Sequence, residues 1–172
     1  GENDRTLFAS LSVFRGGFQR EAATKVVGAT IPALTRLLDQ SLLQREETGR
    51  YRIHELLRQY AEERLQQDPV RATETAARHA GYFTHWLEER LPALESGDQA
   101  AAAAEIERDV ENVRRAWRWA VTHEDSAACG QALYAMTWFY QFKAHYREGA
   151  DTLLTITPTG ALGVGVGSAI AA

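Results

Sequence analysis

Arg50-Tyr51-Arg52-Ile53-His54-Glu55 is the stretch that decides the fold, because the hydrophobic period of the chain changes inside it. Just before it, Ser41 to Glu46 (SLLQRE) and Arg50 to Ile53 (RYRI) flank Glu47-Thr48-Gly49. Two short runs around a glycine-containing turn are the pattern of a β-hairpin. After it, His54 to Leu65 (HELLRQYAEERL) returns to helical spacing, with Ile53, Leu56, Leu57, Tyr60 and Ala61 on one side.

Upstream, the spacing predicts three short helices. Thr6 to Phe14 carries Leu7, Leu11 and Phe14 on one face, and Arg15-Gly16-Gly17 ends it. Gln19 to Val27 is closed by Gly28. Ile31 to Gln40 has Pro32 where a first-turn proline belongs, and Ala33, Leu34, Leu37 and Leu38 form its apolar stripe. Three short helices, a two-stranded wing and a closing helix are the parts of a winged helix, expected over residues 1–67.

Asp68-Pro69 breaks the pattern, and a second unit is expected over residues 68–156. Val70 to Leu91 carries Ala76, Ala80, Phe83 and Leu87 on one face; Pro92 and Ser96-Gly97-Asp98 stop it. Gln99 to Val121 carries Ile106, Val110, Val113 and Trp117. Ser126 to Phe142 carries Cys129, Leu133, Met136 and Tyr140, and Tyr146 to Ile156 carries Leu153 and Leu154. Long helices with short connections imply an antiparallel bundle or a tetratricopeptide-like solenoid. The expected fold class is therefore mainly α: a winged helix followed by a helical bundle. Residues 157–172 (TPTGALGVGVGSAIAA) hold four glycines and no charge, and read as a loose tail or a truncated further helix.

The 172 residues are 45% hydrophobic and 24% charged, a globular balance that supports a packed core. No apolar run approaches the roughly 18 residues of a membrane span, and the charged N-terminus has no signal-peptide core. The one cysteine, Cys129, excludes an internal disulfide framework and fits a reducing, cytoplasmic setting. The only methionine is Met136 and residue 1 is glycine, so the chain reads as a piece of a larger protein. A net charge of −4 argues against nucleic-acid binding. Residues 1–66 hold 10 Lys/Arg against 9 Asp/Glu, whereas residues 67–172 hold 9 against 14.

Catalytic chemistry is not legible. There is no Gly-x-x-x-x-Gly-Lys-Ser/Thr phosphate loop, and Gly163-Val164-Gly165-Val166-Gly167 lacks the strand, helix and acidic residue of a dinucleotide site. The five histidines (54, 79, 85, 123, 145) never form a His-x-x-x-His pair, so no metal site is expected. The aromatics from Tyr82 to Trp86, Trp117 to Trp119 and Trp138 to Phe142 have helical spacing and read as core. Arg114, Arg115 and Arg118 beside Asp109 and Glu111 read as an ion-paired surface.

LFASLSVFRGGFQREAA, LTRLLDQSLLQRE and RYRIHELLRQYAEERL together resemble the winged-helix segment of bacterial STAND-type signalling ATPases, many of them LuxR-like regulators. DVENVRRAWRWAV and YREGADTLL resemble the helical repeat region that follows in such proteins, so the resemblance covers most of the chain. It implies a non-catalytic regulatory segment. The winged helix would close over an upstream nucleotide-binding domain of the same protein, and the helical arm would bind a partner or inducer. Ile53-His54-Glu55 stands where that family has a Met-His-Asp triplet. The resemblance implies that His54 is a nucleotide sensor contacting the β-phosphate of ADP, with ADP or ATP a ligand of the full-length protein. The chain itself is expected to hold no cofactor. Ile for Met and Glu for Asp are departures from the triplet.

Two other functions fit the residues. A winged-helix DNA-binding regulator would read with Ile31–Gln40, which offers Thr35 and Arg36 but also Asp39, a poor set for a major groove. A protein-interaction scaffold would use the acidic, aromatic-rich helices after Asp68.

Overall fold

The computed structural model describes residues 1–96 and 98–142. Three helices open it: α1 (Glu2–Leu11), α2 (Arg20–Val27) and α3 (Ile31–Asp39). Strands β1 (Gln44–Arg45) and β2 (Tyr51–Arg52) follow, then α4 (Glu55–Gln66), α5 (Pro69–Glu88), α6 (Leu91–Leu94), α7 (Gln99–Arg108), α8 (Val110–Thr122) and α9 (Ser126–Phe142). None of the described helices is long and apolar enough to cross a membrane.

The first 66 residues form a winged helix. Helices α2 and α3 are joined by Gly28-Ala29-Thr30, with Gly28 left-handed at φ 69° and the Thr30 hydroxyl capping α3 by accepting from the Ala33 N–H. That is a helix-turn-helix geometry. β1 and β2 pair antiparallel with Gln44 opposite Arg52 and Arg45 opposite Tyr51. Phe18 adds a third rung: its N–H and C=O both bond to Tyr51, at 2.9 and 2.8 Å. Gly17 precedes it at φ 103°, where a Cβ would stand 3.0 Å from the Tyr51 carbonyl oxygen, so only glycine suits this approach.

The strands are shorter than the sequence pattern suggests, for a local reason. The Leu42 and Leu43 N–H groups both bond to the Leu37 carbonyl, and Ser41 sits at φ 56°. Residues 41–43 therefore cap the C-terminus of α3 instead of pairing in the wing.

Helix α5 packs against α2 and α4 of the winged helix and against α8 and α9. Phe14, Phe18 and Tyr51 stack in series, and Phe14 also meets His79 and Phe83 of α5, with ring centroids 5.4 and 6.3 Å away. One buried cluster runs from Phe8 and Leu11 through these rings to Ile106, Trp117 and Met136. The expected helix over 99–121 is two helices, broken at Asp109, whose φ of −113° and ψ of 11° leave the helical region. The expected helix at 146–156 and the tail at 157–172 lie outside the described residues.

Candidate functional site

His54 is the N-cap of α4. Its backbone is extended (φ −60°, ψ 137°), its Nδ1 accepts from the Leu56 N–H at 3.4 Å, and its side chain is exposed. The buried Ile53 beside it anchors the joint. With Nδ1 used as acceptor, the neutral ring carries its proton on Nε2, which leaves one N–H donor for an anion. The helix start adds backbone N–H groups and a positive dipole end. Arg52, two residues back on β2, is also exposed, and its nearest carboxylate is Glu46 at 3.8 Å. Glu55 places a carboxylate in the same turn, but Arg58 grips both its oxygens, at 2.7 and 2.8 Å, and Gln59 donates to it as well. The joint therefore offers an imidazole N–H and a guanidinium that faces Glu46 at 3.8 Å, with the Glu55 carboxylate already held by Arg58. Leu56 and Tyr60 of α4 are exposed by 69% and 52%.

The second helix of the helix-turn-helix presents a different chemistry. Its exposed residues are Ile31, Pro32, Thr35, Arg36 and Asp39. Arg36, the only cation in α3, forks onto Asp4 of α1 with contacts at 2.7, 3.2 and 3.3 Å. Hydrogen bonding to Arg36 lowers the Asp4 carboxyl from its ordinary range, and the same contact raises the Arg36 guanidinium. The Thr35 hydroxyl donates to the Ile31 carbonyl at 3.0 Å.

Arg50, the first residue of the sequence's RYRIHE stretch, turns inward. Its guanidinium meets both Asp109 oxygens at 2.8 Å, with the side chains only 7% and 6% exposed. Asn112 extends the contact: its amide donates to Asp109 and to the Gly17 carbonyl, and its oxygen accepts from the Arg15 N–H at 2.7 Å. His79 Nε2 lies 3.4 Å from that same oxygen. This buried polar seam ties the wing and the Gly16-Gly17 turn to α5 and α8. Sequence reading missed it, because a pair 59 positions apart leaves no periodic signal. Arg52 was missed too, although alternation along Arg52-Ile53-His54 signals that it shares a face with His54.

Arg114 pairs with Glu111 at 2.6 Å and Arg115 reaches Glu62 at 3.5 Å, as expected of an ion-paired surface, whereas Arg118 has no carboxylate partner among the described residues. Among the described residues, no three His, Cys, Asp or Glu side chains converge as metal ligands.

The chain is similar to candidate HTH-type transcriptional regulators of Mycobacterium bovis (strain ATCC BAA-935 / AF2122/97) and of Mycobacterium tuberculosis strains CDC 1551 / Oshkosh and ATCC 25618 / H37Rv. In each case it is 28% identical over 158 residues, which is 86% of this chain and 18% of the relative. The chain thus spans less than a fifth of the length of these relatives. No family model matches it. No solved structure matches it either.

Proposed function

We propose that this chain is a non-catalytic regulatory segment of an HTH-type transcriptional regulator, built as a winged helix fused to a helical arm. The carrying observation is the similarity to regulators over 86% of the chain, joined to a helix-turn-helix with a wing. Within that class, the segment acts through contacts inside the parent protein. Its winged helix closes over a nucleotide-binding domain, and His54 donates to a phosphate of bound ADP. The resemblance to STAND-type ATPases supports this, together with the exposed Nε2 donor at a helix start and Arg52 beside it. The helical arm takes the partner or inducer.

The relatives' name speaks more directly for a second reading, a winged helix that binds DNA itself. Because the match covers 18% of each relative, the helix-turn-helix of that name need not be this one. The Arg36–Asp4 fork and the acidic Asp39 speak against α3 as a groove reader.

The two roles of His54, cap and phosphate donor, separate by substitution in the full-length protein. Asparagine is a good N-cap but cannot reach as far as an imidazole. A phosphate sensor loses ADP retention roughly ten-fold or more in both His54→Asn and His54→Ala, as expected for a charged hydrogen bond. Retention that is unchanged in both variants, or restored by asparagine, removes the sensing role.

A further inference from the structure

Three arginines from three separate elements converge on one carboxylate. Glu62 of α4 receives Arg15 Nη2 at 2.7 Å on Oε1, Arg58 Nη1 at 2.8 Å on Oε2, and Arg115 Nη1 at 3.5 Å on Oε1. Arg58 is also gripped by Glu55. Arg118, one turn beyond Arg115 on α8, is exposed and has no carboxylate partner among the described residues. Three guanidiniums thus share two carboxylates, Arg118 adds a fourth, and two positive charges are left over. Nearby acids do not relieve this: Glu111 is taken by Arg114 and Asp109 by Arg50.

The excess is held in place, not free to disperse. Arg15 is fixed at its backbone by Asn112 and at its tip by Glu62, and its side chain is 24% exposed. The Arg115 side chain is 25% exposed and meets Glu62 through a single nitrogen. Burial, with Arg15 and Arg118 close by, pushes the Arg115 guanidinium below its ordinary value. Guanidinium groups crowded together with spare N–H donors suit a tetrahedral oxyanion, which accepts forked contacts from several at once.

We infer that Arg15, Arg115 and Arg118 form a binding site for a phosphate-class oxyanion, with Glu62 as the internal group that holds the arginines when the site is empty. The ligand is free phosphate or the phosphoryl end of a small molecule. The site uses neither His54 nor α3.

The test is titration of the 172-residue chain with inorganic phosphate and with pyrophosphate at constant ionic strength, followed by calorimetry and by thermal shift. Saturable binding is expected. Arg118→Gln, at an exposed residue without a partner, should weaken it roughly ten-fold while leaving the fold intact. Glu62→Gln should tighten it, because the internal competitor loses its charge; a purely structural hub would show no such gain. Arg5→Gln, far along α1, should change nothing. Preference for pyrophosphate over phosphate would mark a phosphoryl group of a larger molecule as the ligand, and equal binding would mark free phosphate. Absence of saturable binding, or binding indifferent to both Arg118→Gln and Glu62→Gln, overturns the assignment.

Discussion

His79 lies 1% exposed between Phe14 and Phe83, and the Asn112 side-chain oxygen faces its Nε2 at 3.4 Å. Burial, the largest cause, pushes its pKa from 6.5 down to about 3, against a smaller opposing effect of the Asn112 hydrogen bond. Between those values the unfolded chain binds a proton that the folded chain does not. Stability therefore falls as pH falls through this window, by up to about 1.4 kcal/mol per unit, and is unaffected by this group above it. Denaturant unfolding at pH 7, 6, 5 and 4 measures the slope. His79→Gln keeps a polar partner for Asn112 and cannot titrate, so its slope should be shallower; an unchanged slope would assign the acid sensitivity to other groups. The helix face that buries His79 was legible as Ala76–Ala80–Phe83–Leu87, although His79 itself was not placed on it. Its partner Asn112 was not legible, because the two are 33 positions apart.

The elements with strong local signals lie where the periodicity puts them. Helices α2 and α3 match their expected spans within a residue, with Gly28 closing α2 and the Thr30 cap and Pro32 opening α3, and α9 starts at Ser126 as its spacing predicts. Other elements depart: α1 runs over Glu2–Leu11, not Thr6 to Phe14, and the helix expected over Val70 to Leu91 ends at Glu88, with the short α6 beyond it. For two more the physical reason is visible. β1 starts late because residues 41–43 close α3, and the helix expected over 99–121 breaks because Asp109 is held by Arg50. The break keeps the Ile106–Val113–Trp117 face apolar on both sides, so hydrophobic spacing alone could not show it. The seam gives a clear energetic expectation. Asp109→Ala leaves the buried Arg50 cation without its counter-charge, with only the Arg108 carbonyl, at 3.3 Å, hydrogen-bonded to it among the described residues, and should cost about 3–5 kcal/mol in chemical denaturation. The double variant Arg50→Met, Asp109→Leu removes both charges and should recover a large part of that loss. If the double variant is as unstable as the single one, the cost comes from packing and not from an orphaned charge.

At the scale of the molecule, the polar seam and the aromatic series from Tyr51 to Phe83 join the winged helix to the helices after Asp68. The winged-helix architecture was legible from the switch in period around RYRIHE. The geometry of the joint was only half legible: the helical spacing places His54 at the start of α4, while the direction of Arg50 depends on a helix that folds back 59 positions later. The charge pattern is the feature that divides the functional readings, since the chain carries −4 overall and ties the cation of α3 to α1. Fluorescence anisotropy of the 172-residue chain with duplex DNA, titrated from about 50 to 200 mM salt, tests this most directly. Binding weaker than roughly 100 μM at the higher salt, with a shallow salt slope, is expected of a winged helix that works inside its parent protein. Sub-micromolar binding that falls steeply with salt, by a slope of about −5 or more, would contradict that role and make α3 a DNA reader.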